Sequence, residues 1–193
     1  MDLSLNLTNT HVLITGGTGF IGSVTVTALL AAGAKVTCLD IRTPQLSTIS
    51  TSNTSPANIS SESSLERAFS LAAEKFGPVA CCIALASLDL SVLEHHESLV
   101  DMEVDQWRRT HRINVEGTFL TVRTWLRQIR DYAAGAKEAE KRLENVSLII
   151  VGSESGRFGE RANADYASGK SAMQGGLLGS LVGDVARIWP GAR

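Results

Sequence analysis

The stretch Thr15-Gly16-Gly17-Thr18-Gly19-Phe20-Ile21-Gly22 decides the fold class of this chain. A β-branched, apolar run from His11 to Ile14 precedes it and predicts a strand, whereas Ile21 to Ala32 predicts a helix. A glycine-rich turn between a strand and a helix exposes backbone N–H groups at the positive end of the helix dipole, which stabilises bound phosphate. We therefore predict a phosphate-binding turn; the alternative is a glycine turn that binds no ligand.

The glycines of this turn have separate predicted roles. Gly16 permits the tight turn, Gly19 lets the backbone approach a pyrophosphate, and Gly22 lets the helix pack closely on the strand. The same turn supplies three further candidate cofactor contacts, which are Thr18, Phe20 and Ile21.

A carboxylate follows the second predicted strand, Val36 to Leu39. This residue, Asp40, lies 24 residues after Gly16, close to the position where an acidic side chain binds an adenosine ribose. A carboxylate there repels a 2′-phosphate, so the sequence favours NAD over NADP. Because Arg42 follows two residues later and a guanidinium binds phosphate, Arg42 is also a candidate contact and NADP stays open.

Apolar runs alternate with amphipathic ones along the rest of the chain. Two more continuous apolar runs predict strands buried on both faces, as in a parallel sheet. Strands that alternate with helices predict an α/β protein with a Rossmann-type doubly wound sheet in three αβα layers. The further predicted strands are Val79 to Leu85 and Val146 to Val151; the further predicted helices are Ser63 to Phe76, opened by a Ser-x-x-Glu capping box, Asp105 to Arg130 and Asp165 to Ala186.

One segment breaks this alternation. From Ser47 to Ser64, 13 of 18 residues are Ser, Thr or Asn, which predicts a solvated loop. A short strand is expected near Ala57 to Ile59, inside this loop.

Composition excludes several classes of protein. The chain has 193 residues, 44% of them hydrophobic, and a net charge of −2, which fits one domain over residues 1–193 and no nucleic-acid partner. No apolar run approaches the roughly 20 residues that cross a bilayer, and Met1 to Thr10 lacks the regions of a signal peptide, so we expect no membrane partner and a cytoplasmic protein. The three cysteines lack metal-ligand spacing, and we predict no metal site.

A phenol and an ammonium group are spaced four residues apart in Tyr166-Ala167-Ser168-Gly169-Lys170. This spacing puts both on one face of the predicted helix. A free phenol, with a pKa of about 10, is a poor base at neutral pH, and a nearby ammonium group favours the phenolate. Tyr166 is therefore a candidate to exchange a proton with an alcohol or ketone.

Two polar residues join this pair as catalytic candidates. Ser153 follows the strand that ends at Val151 and lies 13 residues before Tyr166, where its hydroxyl would bind the reacting oxygen. Asn114 interrupts an otherwise regular helix, and its amide is placed to hold a water in a proton relay to Lys170; the alternative is a helix-bending residue.

The chain resembles the short-chain dehydrogenase/reductases over nearly its whole length. The resemblance rests, in the family's order, on TGGTGFIG (Thr15–Gly22), Asp40, NVEG (Asn114–Gly117), Ser153 and YASGK (Tyr166–Lys170). It implies Tyr166 as general acid/base, Lys170 as ribose ligand, Ser153 as anchor of the substrate oxygen and Asn114 as relay residue. It also implies hydride transfer between nicotinamide C4 and a carbinol carbon, with Tyr166 and Lys170 both close to the cofactor.

The chain departs from the family pattern in three places. The glycine spacing is similar to that of extended family members that act on sugar nucleotides, whereas the interval from Ser153 to Tyr166 suits the single-domain oxidoreductases. Ala84-Leu85-Ala86-Ser87 replaces the usual Asn-Asn-Ala-Gly, which removes a polar side chain that supports the sheet, and Ala84 is a candidate cofactor contact. Asn58 stands where an Asp usually contacts adenine.

The family fold continues beyond the Tyr-Lys helix with further strands and a substrate-covering loop. The chain stops at Arg193, so the resemblance implies that the last strands are lacking and that the strand from Val146 to Val151 lies at a sheet edge. The resulting prediction is an NAD(P)-dependent oxidoreductase acting on a secondary alcohol or ketone and forming a homo-oligomer. A dinucleotide-binding module without catalysis is the main alternative, and a sugar-nucleotide epimerase or dehydratase is a minor one.

Overall fold

Five parallel strands form the centre of the fold. The computed structural model describes residues 5–42, 53–135 and 143–193, and within them the sheet has the order β3-β2-β1-β4-β5. In chain order the strands are β1 (His11–Thr15), β2 (Lys35–Asp40), β3 (Asn53–Pro56), β4 (Cys81–Ala84) and β5 (Ser147–Ile150). The strand order reverses between β1 and β4, which is the position where open α/β sheets bind ligands. The predicted doubly wound parallel sheet is confirmed.

Seven α-helices, two π-helical segments and one 3-10 helix, Leu99–Asp101, are present in the described residues. The sequence predicts long helices from Asp105 to Arg130 and from Asp165 to Ala186, and each is interrupted by a π-helical segment, at Arg112–Glu116 and Ala172–Leu177. These interruptions were not predicted; π-helical segments are frequent at functional sites. The helices are α1 (Phe20–Ala31), α2 (Glu62–Phe76), α3 (Val104–His111), α4 (Gly117–Gly135), α5 (Ser155–Phe158), α6 (Ala164–Ser171) and α7 (Leu178–Ile188). Across the described segments, no helix is long and apolar enough to cross a membrane.

Alternate residues of the strands enter two separate apolar cores. In β1, Val12 and Ile14 pack in the core that contains Val26 of α1, whereas Leu13 packs in the core formed with α2 and α4. Trp125 of α4 is fully buried there and donates its Nε1–H to the Val79 carbonyl over 3.0 Å. Helices thus cover both faces of the sheet, as the continuous apolar runs predict.

The structure corrects the region predicted as a loop from Ser47 to Ser64. Residues 47–52 lie outside the described residues, but 53–56 form β3, ahead of the strand predicted near Ala57 to Ile59. The apolar residues Ala57 and Ile59, on which the prediction rests, follow the strand and bury their side chains in the core against α2. The strand β3 itself is polar and is held by backbone pairing with β2. The cap of α2 is Ser61 rather than Ser63, since Ser61 accepts a hydrogen bond from the Ser64 N–H.

One edge of the sheet is formed by β5, where the sequence analysis expects it. Ile149 is 47% exposed, and the backbone of Arg193 pairs with this edge. Its N–H donates to the Val146 carbonyl over 3.0 Å, and its carbonyl accepts from the Leu148 N–H over 2.9 Å. The segment after α7 therefore reaches the position next to β5 in the sheet.

Candidate active site

Backbone contacts fix the shape of the glycine turn. Gly16 has a φ of +72°, and a Cβ there would lie 2.8 Å from the Cα of Ala86. A Cβ on Gly22 would overlap the carbonyl oxygen of Gly16 and lie 2.7 Å from the Cα of Gly17. A Cβ on Gly19 would meet only that same carbonyl oxygen, at 3.2 Å. Gly16 and Gly22 are thus required by the turn and by helix packing, and Gly19 is the more open position.

No separate role is predicted for Gly17, yet a side chain at Gly17 would have no room in the structure. A Cβ on Gly17 would overlap the sulfur of Cys38, which is fully buried in β2. Burial raises the pKa of the Cys38 thiol to about 11, so this sulfur stays protonated and packs as an apolar atom. The glycine turn is therefore seated directly on β2.

Asp40 is held against the glycine turn by hydrogen bonds. Its Oδ2 accepts from the Thr18 N–H and its Oδ1 from the Arg42 N–H, both over 3.1 Å. Asp40 is 7% exposed, whereas the side chain of Arg42 is 71% exposed. The Nε of Arg42 lies 3.9 Å from the Oδ1 of Asp40. A buried, oriented carboxylate and an exposed guanidinium thus lie together at the end of β2.

The turn also has properties that suit a dinucleotide. The hydroxyl oxygen of Thr18 is buried and has no hydrogen-bond partner among the described residues. Such an unpaired hydroxyl at the start of a helix is a ready donor to phosphate. The predicted contacts Phe20 and Ile21 begin α1 with 94% and 63% of their surface exposed, respectively. These residues therefore fit a bound dinucleotide, with Gly19 leaving the backbone accessible.

Two further predicted cofactor contacts, Ala84 and Asn58, lie at the ends of other strands. Ala84 ends β4 and pairs in register with Thr15 of β1, beside the glycine turn. Asn58 follows β3 and is exposed; its Oδ1 accepts from the N–H and the hydroxyl of Ser60, over 3.0 and 2.8 Å. Contact of Asn58 with adenine stays a prediction.

A threonine and an asparagine hold the chain where it leaves β4. The Thr15 hydroxyl accepts hydrogen bonds from the N–H groups of Leu85 and Ala86, each over 3.2 Å. The Asn114 amide binds both backbone groups of Leu88: its Oδ1 accepts from the N–H over 2.7 Å, and its Nδ2 donates to the carbonyl over 2.9 Å. These contacts support the segment in which Ala84-Leu85-Ala86-Ser87 lacks the usual asparagines. Thr15 is not among the predicted site residues, although its place in the motif is a usable signal.

Tyr166 and Lys170 lie together on α6, as their spacing predicts. They are 8% and 3% exposed, and the Lys170 Nζ lies 5.7 Å from the centre of the Tyr166 ring. Nζ donates a 2.8 Å hydrogen bond to the carbonyl of Val151. Burial lowers the pKa of Lys170, and the charge of Asp89 partly opposes this shift. The ammonium group is thus buried next to the phenol and held to the end of β5.

Ser153 and Asn114 both lie against elements that contact α6. Ser153 follows Val151, the residue bound by Lys170, and its Oγ accepts from the Ser155 N–H over 3.2 Å. Asn114 is fully buried in the first π-helical segment, and a Cβ on Gly169 would lie 3.8 Å from its Cβ. The role of Asn114 in a water relay stays a prediction.

Comparison with known proteins assigns the chain to a family. The model of the short chain dehydrogenase family matches residues 10–186. The chain belongs to this family. It is 26% identical over 173 residues to the rat 3-hydroxyacyl-CoA dehydrogenase type-2. The aligned region covers 86% of this chain and 63% of the rat protein. The mouse protein of the same name is 24% identical over 124 residues, or 64% of this chain and 46% of the mouse protein. The chain thus spans less than two thirds of these relatives.

Solved structures of other proteins share the fold. An NAD+-bound xylitol dehydrogenase superposes with a TM-score of 0.81 at 20% identity, covering 97% of this chain and 68% of that one. A 3-ketoacyl-(acyl-carrier-protein) reductase from Brucella melitensis, complexed with NADH, has a TM-score of 0.78 at 20% identity, covering 97% and 74%. At these identities the likeness shows the fold.

Proposed function

We propose that this chain carries the site of an NAD(P)-dependent oxidoreductase that interconverts a secondary alcohol and a ketone. The observation that carries the proposal is the buried pair of Tyr166 and Lys170 on α6, next to the segment that bears Ser153. A buried phenol beside an ammonium group suits proton exchange with a carbinol oxygen. Family membership supports the same chemistry.

The residues of the chain have distinct tasks in this proposal. Tyr166 removes the hydroxyl proton in the oxidation direction and returns it in the reduction direction. Ser153 donates a hydrogen bond to the same oxygen, and Lys170 favours the phenolate by its charge. Bound NAD supplies the hydride acceptor, and the glycine turn with Thr18 would hold its phosphates.

NAD is the proposed cofactor in preference to NADP. Asp40 is buried, fixed by the Thr18 N–H and placed at the end of β2, where it would accept hydrogen bonds from an adenosine ribose. Two of the solved neighbours are described as complexes with NAD+ or NADH. The exposed Arg42 provides the cation that would favour NADP if the Asp40 carboxylate were absent.

Turnover of a substrate panel tests the proposed reaction. Reduction of NAD is followed at 340 nm with secondary alcohols, including a 3-hydroxyacyl-CoA because two relatives carry that name. We expect Tyr166→Phe to lower kcat by about 10²–10⁴-fold, the usual contribution of a general acid/base. Tyr132→Phe is the matched control, because Tyr132 stacks on Trp189 away from the proposed site. NAD binding without turnover would support the non-catalytic module instead.

We also propose that the α4–α7 surface pairs with a second copy of the chain. Gly175, Gly179 and Gly183 have no atom within 4 Å of a Cβ position, so they do not serve packing within the chain. Phe119 is 44% exposed on α4 and lines a groove of about 440 Å³ between α4 and α7, whereas Val182 is 65% exposed on α7 and is not among the residues that line this groove. Exposed apolar surface next to small helix residues suits a helix–helix interface. Light scattering should show a dimer that Val182→Glu dissociates and the equally exposed Val24→Glu does not.

A cytoplasmic location is part of the proposal. Cys38, Cys81 and Cys82 are all free and buried, which is usual in a reducing compartment. Fractionation of cells that express the chain tests the location directly.

A further inference from the structure

One side chain, Gln174, bridges the helix that carries Tyr166 and the loop that carries Ser153. We infer that Gln174 is a positioning residue that fixes Ser153 relative to Tyr166, an inference that rests on the proposed function. Gln174 is half-buried in the second π-helical segment, four residues after Lys170. No sequence motif marks it.

The contact is direct on both sides of Ser153. The Ser153 N–H donates a 2.9 Å hydrogen bond to the Oε1 of Gln174. A Cβ on Gly152 would overlap this same Oε1, and a Cβ on Gly156 would lie 2.8 Å from the Nε2. The amide of Gln174 therefore packs against Gly152, directly before Ser153, and against Gly156, three residues after it, and a side chain at either glycine would displace it.

The helical run formed by α6 and the second π-helical segment contacts the end of β5 at two points. Lys170 donates to the Val151 carbonyl, and Gln174 accepts from the N–H of Ser153, two residues later. Tyr166 lies in the first turn of α6, so the phenol and Ser153 are both positioned by the same helical run. Catalysis by two groups on one oxygen depends on their relative placement, and displacements of about 1 Å reduce rates severely.

Loss of Gln174 should leave the loop folded but less well aligned. The Ser153 Oγ still accepts from the Ser155 N–H over 3.2 Å, and the Ser155 hydroxyl still donates to Glu160 over 2.6 Å. These bonds orient the loop within itself and do not connect Ser153 to α6. A variant of Gln174 therefore affects alignment more than folding.

Steady-state kinetics of matched variants test the inference. We expect Gln174→Met, which keeps the length and loses the acceptor, to lower kcat about tenfold with the Kd for NAD unchanged. Gln174→Glu keeps an acceptor oxygen and should recover most of this loss. Gln128→Met is the control, because the Gln128 Oε1 accepts from the Val79 N–H over 3.3 Å, far from Ser153 in the fold; it should leave kcat unchanged.

A double-mutant cycle distinguishes positioning from a general structural role. If Gln174 acts through Ser153, Gln174→Met should have little further effect on kcat in the Ser153→Ala protein. An equal tenfold loss in that background, or no recovery with Gln174→Glu, overturns the inference.

Amide hydrogen exchange gives a readout that does not depend on turnover. We expect the Ser153 N–H to exchange at least about tenfold faster in Gln174→Met than in the wild-type chain or Gln174→Glu, because its acceptor is lost. If the wild-type chain turns over no alcohol, the proposed function fails, and exchange alone then decides whether Gln174 holds Ser153. An unchanged exchange rate overturns the inference.

Discussion

Steric fit of backbone on backbone holds the nucleotide half of the candidate site, whereas long-range polar contacts hold the catalytic half. At the glycine turn, Cβ positions on Gly16 and Gly22 fall within 3 Å of neighbouring backbone atoms. Around Ser153 and Lys170, single hydrogen bonds to Gln174 and Val151 set the arrangement. A fit between backbones leaves no room for any side chain, while a hydrogen bond can be lost with the fold retained. The two halves should therefore respond differently to substitution.

The largest loss of stability and of NAD binding is expected when Gly22 is replaced. In Gly22→Ala the new methyl group would overlap the Gly16 carbonyl and lie within 3 Å of Gly17, so the turn or α1 must move. We expect a loss of about 1–3 kcal/mol in the free energy of unfolding, the usual cost of overpacking, together with loss of NAD binding. Urea unfolding and fluorescence titration with NADH measure both.

Gly176→Ala is the matched control for this prediction. Gly176 is also helical, but nothing lies within 4 Å of its Cβ position. Replacement of an open helical glycine by alanine should leave stability equal or slightly higher. Equal stability of the Gly22→Ala and wild-type chains would contradict the steric account of the nucleotide half.

A loss of about 2 kcal/mol in the free energy of unfolding is expected when Asn114 is replaced. Asn114 is fully buried, and Asn114→Ala removes both of its hydrogen bonds to the partly buried backbone of Leu88, each with a usual net contribution of about 1 kcal/mol. Because Leu88 lies on the segment that leaves β4, we also expect kcat to fall. Asn58→Ala removes an exposed amide and should cost less than about 0.5 kcal/mol. Wild-type stability of the Asn114→Ala protein would show that the catalytic half does not depend on the contact between Asn114 and Leu88.

The contrast between the two halves also explains what could be predicted from the sequence. The glycine turn is a local structure whose residues are contiguous, and β1 and β2 are continuous apolar runs, so Gly16, Gly22 and Asp40 were identifiable by spacing. The pair of Tyr166 and Lys170 was identifiable for the same reason, because four residues span one helical turn.

Contacts between distant segments were not predictable in this way. Gln174 meets Ser153 only because α6 and the end of β5 are adjacent in the fold, and Thr15 meets Leu85 across 70 residues. The π-helical segments were not predicted, although Asn114, which interrupts the apolar pattern of its helix, lies in the first of them. The strand β3 was placed too late because its pairing uses backbone groups, whereas the apolar side chains of Ala57 and Ile59 follow it.

A smaller effect, on cofactor choice, is expected at Asp40. Asp40→Ser removes the negative charge that would repel a 2′-phosphate and leaves Arg42 exposed beside the site. We expect the ratio of the Kd values for NADP and NAD to fall about tenfold, which corresponds to about 1.4 kcal/mol. Arg42→Ala in the same background should remove the gain in NADP binding. An unchanged ratio would show that Asp40 does not select the cofactor.

The smallest expected effect on stability is a pH dependence from His11, a buried polar group in the half held mainly by steric fit. The His11 Nδ1 lies 2.7 Å from the Gly77 carbonyl and therefore donates, so Nε2 accepts from the Thr37 hydroxyl at 2.9 Å. Burial lowers the pKa of His11, while its hydrogen bond to the Gly77 carbonyl opposes that shift. The neutral ring therefore stabilises the folded chain above about pH 6.5, the ordinary histidine value, and this contribution is lost as the pH falls below it toward the lowered pKa.

Urea unfolding at pH 7.5 and 5.5 measures the contribution of His11. The wild-type chain should lose more stability between these pH values than His11→Gln, which has no group to protonate at that position. The exposed residue His95 provides the control, and His95→Gln should keep the wild-type pH dependence. If His11→Gln and the wild-type chain lose stability equally, β1 is insensitive to the charge of His11. The nucleotide half would then depend on steric fit and on local hydrogen bonds such as that of Asp40 to Thr18, and the contrast with the catalytic half would be sharper than the hydrogen bonds of His11 suggest.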